Sequence, residues 1–207
     1  MTILDRIILL LTGLTAIYLI WRFYTRHTKE QARYNIYYAM SFVVLLVSGL
    51  LLIFLGWDIL ASPYILTVAT LIPLGISMGL MHQFMPQYAK AYSWFSLVGL
   101  LAIAITSIAD MPLKSVAVPV FHGVAGLIIV GLPLMRCIKG EAPKGFGLVG
   151  VGGILISLGG MALAFLNAGK QLLFFSGDVV MAILAPLLLL MALAFTWGFV
   201  KDIKASE

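Results

Sequence analysis

Cysteine is almost missing from this chain: Cys137 is its single copy, which excludes an intramolecular disulfide and a cysteine-built metal cluster. Charge is nearly as scarce. Of 207 residues only 10% are Asp, Glu, Lys or Arg, against 62% hydrophobic, with a mean hydropathy of +1.11. A soluble domain of this length cannot cover its surface with so few charges, so the composition specifies a multi-pass integral membrane protein. Carboxylates are absent from the middle of every apolar run. Asp58, Asp110 and Asp178 stand at run ends, while Glu30, Glu141, Asp202 and Glu207 fall in flanking segments. A buried proton relay of the usual kind is therefore not expected. HExxH, a Ser-His-Asp constellation and paired carboxylates are missing too, so the chain does not read as an enzyme.

What is present is a series of apolar runs of about twenty residues, the length that crosses about 30 Å of hydrocarbon. The spans are Ile7–Tyr24, Ile36–Trp57, Tyr64–His82, Tyr92–Ile108, Val116–Met135, Phe146–Asn167 and Val179–Val200. Breakers separate them: Ser62-Pro63, Met85-Pro86, Met111-Pro112, Glu141-Ala142-Pro143 and Ser176-Gly177. Residues 169–175, GKQLLFF, are too short to span and fit an interfacial segment or an early start of the last helix. The first run lacks a small-residue cleavage site and ends in WRFYTRH, so it reads as a permanent helix. The fold class is thus all-α, a polytopic bundle of seven transmembrane helices in one domain.

Ten of the thirteen basic residues fall on one side: Arg22, Arg26, Lys29, Arg33, Lys90, Arg136, Lys139, Lys144, Lys201 and Lys204. Arg6, Lys114 and Lys170 fall on the other. The positive-inside rule places the amino terminus outside and the carboxyl terminus in the cytoplasm. The same rule accounts for the net charge of +5 without a nucleic-acid partner.

The stretch 69–80, ATLIPLGISMGL, is echoed by 182–193, AILAPLLLLMAL. At an offset of 113 they share Ala69/Ala182, Leu71/Leu184, Pro73/Pro186, Leu74/Leu187, Met78/Met191 and Leu80/Leu193. A proline inside an apolar helix removes a donor and is rarer than a matching leucine. Gly13-Leu14 and Leu19 in the first span match Gly126-Leu127 and Leu132 in the fifth at the same offset. Gly49, Leu52, Phe54 and Leu55 in the second match Gly160, Leu163, Phe165 and Leu166 in the sixth at an offset of 111. The pattern reads as a 3+1+3 parallel internal repeat: a first copy at about residues 5–83, a linker helix at about 91–109 and a second copy at about 116–200. Such copies are related by an axis along the membrane normal, with sites at the repeat interface.

As architecture, this is similar to the sugar-transporting SWEET and PQ-loop families and to microbial opsins. No motif narrows it further. Pro86-Gln87 follows the third span in a loop and not early in a triplet's helix, and Val179–Val200 has no lysine for a retinal Schiff base.

Gly145-Phe-Gly147-Leu-Val-Gly150 spells GxGxxG, but it opens an apolar helix and lacks a preceding strand. With Gly152, Gly153, Gly159 and Gly160 it forms a smooth seam for close helix contact. His82 and His122 lie in opposite leaflets and His27 in a basic connector, which disfavours bis-histidine haem. The cofactor is left unassigned. The candidate solute contacts are Pro73 and Pro186, each freeing a carbonyl four residues earlier, together with Ser77 and Asn167. The function this supports is a small-solute transporter or permeation protein for a neutral or weakly polar substrate. The rival is a non-catalytic sensor or accessory subunit of a larger membrane complex, binding a pigment, quinone or lipid through its aromatic and Met-rich surface. Partners are then the bilayer and either a small solute or a membrane subunit, and a homo-oligomer is left open.

Overall fold

The computed structural model describes residues 1–167 and 176–206, together with the backbone but not the side chains of Ala164, Phe165, Asn167 and Ser206. The segment 169–175 lies outside them. The described chain is all helical, and seven of its helices are long and apolar enough to cross a membrane. Hydrocarbon offers no partner to a free backbone N–H or C=O, so a helix that satisfies its own backbone is the form these runs can take.

Helix α1 is Ile3–Glu30, opened by a capping box: the Asp5 amide donates to Thr2 Oγ1 (3.2 Å) and the Thr2 amide to Asp5 Oδ2 (2.7 Å). It ends where Gln31 turns left-handed, at φ 53°. Helix α2, Arg33–Leu55, stops at Gly56, whose φ of 78° suits a residue without Cβ. A short 3-10 turn, Trp57–Ala61, leads to Pro63 at the first position of α3, Pro63–Ala69. Helix α4, Leu71–Phe84, completes the third span after a break at Thr70. A single residue, Met85, then turns the chain into α5, Pro86–Ile108. The remaining spans are α6, Lys114–Ile138; α7, Leu148–Asn167, preceded by a 3-10 turn at Lys144–Gly147; and α8, Gly177–Ser206.

Several helices outrun the apolar spans. α1 continues past Tyr24 and α8 past Val200, each by more than a turn. α5 starts at Pro86, so Pro86-Gln87 occupies its first turn and not a loop, with the ring in the position where no helical donor is needed. Hydropathy marks where hydrocarbon ends, and a helix carrying Arg, Lys and Asp continues into the interface.

Packing closes six spans into a ring. α1 lies on α2, α2 on α4, α4 on α6, α6 on α7, α7 on α8, and α8 returns to α1. α5 stands outside this ring against α3, α4 and α6. Lipid tails are as apolar as Leu, so close packing more than water exclusion holds such helices together. The glycines of α7 show how close. A Cβ on Gly153 would stand 2.7 Å from Ile129 Cγ2 of α6, and one on Gly152 2.7 Å from Phe195 Cδ1 of α8. The seam read from sequence is therefore two-sided, serving both neighbours.

Candidate functional site

The ring is filled. Phe23 of α1, Tyr38 and Phe42 of α2, Phe195 and Phe199 of α8 and Phe146 before α7 are all buried in one cluster. The Tyr38 ring lies 4.7 Å from that of Phe199 and 4.9 Å from that of Phe23, while Phe23 meets Phe199 edge-on at 5.1 Å. These tilted and edge-to-face contacts are the arrangements aromatic quadrupoles favour. Tyr38 approaches α4 closely because residue 79 is glycine: a Cβ there would stand 2.3 Å from Tyr38 Cε1.

Polar side chains bind together the ends of four helices beside this plug, at the end of the bundle that carries the basic residues. Arg26 of α1 donates from Nη1 to Asp202 Oδ2 of α8 at 2.7 Å, with Arg26 6% and Asp202 7% exposed. Gln83 of α4 donates to the same oxygen at 2.9 Å, and Tyr38 of α2 donates to Gln83 Oε1 at 2.8 Å. Arg26 Nε also reaches Glu30 (2.9 Å), which accepts from Tyr34 (2.9 Å), and the guanidinium lies 5.2 Å from the centre of the Tyr34 ring. One carboxylate thus gathers α1, α4 and α8 directly and α2 through Gln83. Two buried charges are tolerable only when paired and hydrogen-bonded to this degree.

A second arginine closes the α4–α6 contact at the same end. Arg136 of α6 donates from Nη2 to the Phe84 carbonyl at 2.8 Å, its guanidinium 5.9 Å from the Phe84 ring, and from Nη1 to the Glu141 carboxylate. The Phe84 carbonyl belongs to the last turn of α4, where no helical donor follows and a cation is favoured.

The sequence candidates are distributed differently. Ser77 is fully buried, donates to the Pro73 carbonyl at 2.7 Å and accepts from Tyr92 of α5 at 2.8 Å. It therefore joins α4 to the outside helix. Pro73 is half-buried just after the break at Thr70, whereas Pro186 is half-buried inside an uninterrupted α8. The Asn167 side chain lies outside the described residues. α4 and α8 share the central core and meet through the Gln83–Asp202 hydrogen bond, while their extensive packing is with other helices, α4 on α2 and α6 and α8 on α7 and α1. Arg26 and Asp202 were missed because each reads as one of the flanking charges. The available signal was helical spacing: Arg26 and Glu30 stand four apart, and Asp202 lies one turn past Gly198.

The histidines have local partners. His82 Nε2 and Ser93 Oγ are 3.0 Å apart, another tie between α4 and α5, and His122 Nδ1 donates to the Val118 carbonyl at 3.1 Å. At the opposite end Ser176, more than Asp178, caps α8: the Val179 amide donates to its Oγ (3.4 Å) and the Val180 amide to its carbonyl (2.9 Å). Asp110, fully exposed between α5 and α6, is held below the usual carboxylate range by its hydrogen bond to Lys114 and by that ammonium's charge. Among the described residues no three His, Cys, Asp or Glu side chains converge as a metal site. Comparison with protein-family models, with curated proteins and with solved structures gives no match.

Proposed function

We propose that this chain is a transporter or permeation protein for a small, neutral or weakly polar solute, built as two parallel three-helix copies joined by α5. The observation that carries the reading is the order of neighbours. Exchanging α1 with α6, α2 with α7 and the third span with α8 maps every contact of the ring onto another: α1–α2 onto α6–α7, α2–α4 onto α7–α8, and α8–α1 onto α4–α6. This is the neighbour pattern of a two-fold axis along the membrane normal, the symmetry of parallel-repeat transporters. The two contacts between copies, α8–α1 and α4–α6, are also the two that an arginine closes at the basic end. Arg26 and Arg136 stand three residues short of the repeat offset, so the likeness is one of place and not of aligned residues.

In this reading the amino terminus is outside, the basic end is cytoplasmic, and the arginine contacts with the aromatic plug form a closed inner gate. Rocking of one copy against the other opens it. The chain does no covalent chemistry on its solute.

Flux measures the function. Reconstituted vesicles are to be challenged with glycerol, urea and erythritol gradients, and swelling followed by light scattering. The wild-type protein should accelerate entry of at least one solute, and Pro73→Ala, which restores a donor at the break in the third span, should slow it several-fold. Swelling no faster than in protein-free vesicles for every solute, with Asp202→Asn as with wild type, removes the transport reading.

Orientation is tested separately. Single cysteines at Lys114 and Lys139, with Cys137→Ser to keep the donor that now reaches the Pro143 carbonyl at 3.1 Å, should label from outside only at position 114. Equal labelling at both positions overturns the topology.

A further inference from the structure

One face of α8 grades from apolar to cationic along its length. Leu190, Leu193, Trp197, Lys201 and Lys204 follow one another at spacings of three or four, so they stack on one side of the helix. All five are exposed, Trp197 by 61%. The leucines face hydrocarbon and the lysines stand at the basic end. An indole between the two marks the level of the lipid headgroups.

Lys201 is held in place. Its stem lies across Gly145, in the 3-10 turn before α7, where a Cβ would stand 2.6 Å from Lys201 Cγ. The ammonium turns back along α8 and stands 5.7 Å from the centre of the Trp197 ring. A lysine whose only partner is water extends away from the bilayer; this one is directed a turn toward it. Exposed Lys144, next to Gly145, adds a second cation from the other side of the α7–α8 seam. The described carboxylates of this end are engaged elsewhere: Asp202 with Arg26 and Gln83, Glu30 with Arg26 and Tyr34, Glu141 with Arg136. Among the described residues no ion pair reaches Lys144, Lys201 or Lys204. The positive-inside rule accounts for the side on which these lysines fall. It does not require a stem packed on glycine or an ammonium set beside a lipid-facing indole.

We propose that this face binds an anionic phospholipid. The lipid phosphate accepts from the Lys201 ammonium, and Lys144 and Lys204 add to the positive field that holds it. An ester carbonyl accepts from the Trp197 indole N–H, the one hydrogen bond that ring can donate, and an acyl chain runs along Leu193 and Leu190. The exposed leucines select a lipid over a free phosphate, because they continue the same face into hydrocarbon. A zwitterionic lipid suits the face less well, since its own cation would stand among three lysines. The bound headgroup bridges the start of α7 and the end of α8. The proposal concerns binding alone, and it stands or falls independently of transport.

The test uses the full chain in phosphatidylcholine bilayers, with Trp21, Trp57 and Trp94 replaced by Phe so that Trp197 alone fluoresces. Quenching by phosphatidylglycerol brominated near the ester end of its chains is compared with quenching by phosphatidylcholine brominated alike. Trp197 should prefer phosphatidylglycerol by about fivefold or more. Lys144→Ala with Lys201→Ala should bring the preference to near unity. Gly145→Ala displaces the Lys201 stem without altering any charge and should lower it by about two- to fivefold. Lys90→Ala removes a charge from the same side and should leave it unchanged, as should inorganic phosphate at constant ionic strength. Native mass spectra of the chain with all four tryptophans supply a second measurement: phosphatidylglycerol should stay bound where phosphatidylcholine does not, and the double lysine variant should retain one fewer. Equal quenching by the two lipids, an undiminished preference in the double variant or in Gly145→Ala, an equal loss in Lys90→Ala, or displacement by inorganic phosphate overturns the assignment.

Discussion

Asp202→Ala is expected to lower stability by about 3–5 kcal/mol, the usual cost of removing one partner from a buried ion pair. The loss has an identifiable origin. Arg26, 6% exposed, keeps Glu30 but loses its 2.7 Å contact across to α8, and Gln83 loses the acceptor that ties α4 to the same point. The converse experiment separates charge from shape. Arg26→Met combined with Asp202→Leu replaces both partners by apolar groups, leaves no orphaned ion and should recover most of the loss. Unfolding in mild detergent measures both. A single variant within ~1 kcal/mol of wild type, the range of exposed pairs, would show that the contact contributes no more than a surface bridge. Under the transport reading, the double variant should also pass solute faster, because the seam between α1 and α8 then closes through apolar contact alone.

The second large effect is steric. Gly198 of α8 lies against the start of α7, where an added Cβ would stand 2.7 Å from both the Val149 backbone nitrogen and Val149 Cγ2. Backbone cannot rotate aside as a side chain does, so Gly198→Ala must push the helices apart. The expected destabilisation is about 1–3 kcal/mol, as for other overpacked interiors. Gly49 of α2 is the control, since a Cβ there meets nothing within 4 Å. There alanine only restricts the unfolded chain and should stabilise by roughly 0.5–1 kcal/mol. Opposite signs for the same substitution on two helices would show that contact, and not helix propensity, decides. Equal effects would contradict the α7–α8 packing.

The spans were legible in the sequence because hydrocarbon thickness imposes a length on every apolar run. Their ends were not. Tyr24 and Val200 close the apolar stretches, yet α1 persists to Glu30 and α8 to Ser206. Charged residues stop a hydropathy signal without stopping a helix. The same habit concealed the cluster at the basic end: Arg26 counts as one of ten basic residues on its side and Asp202 as one of the flanking carboxylates, and neither grouping carries information on which two charges meet. Ser77 shows another limit. Its polarity was visible, but the tyrosine that occupies it comes from α5, fifteen residues along the chain, and choosing between solute and neighbour requires knowing which helices touch. The two matching prolines behave differently, though the difference is small. Before Pro73 the interruption is one residue, Thr70, which keeps helical dihedrals, donates its amide to the Leu66 carbonyl at 3.1 Å and accepts from the Leu74 amide at 3.2 Å. The repeat offset puts Ile183 in that position before Pro186, and there α8 runs on unbroken.

The helix outside the ring makes the two seams mechanically unlike. α5 leaves α4 through the single residue Met85, lies across α3, α4 and α6, and delivers the chain to α6. The α4–α6 seam is therefore covalently bound, like the spine of a book. The α8–α1 seam joins the last helix to the first, with no connecting peptide, and opens like the fore-edge. Under the proposed topology, with seven crossings, the two chain ends stand on opposite faces of the bilayer. Sewing the fore-edge shut, as in a circularly permuted chain, would need one additional crossing helix, standing beside α8 and α1 as α5 stands beside α4 and α6.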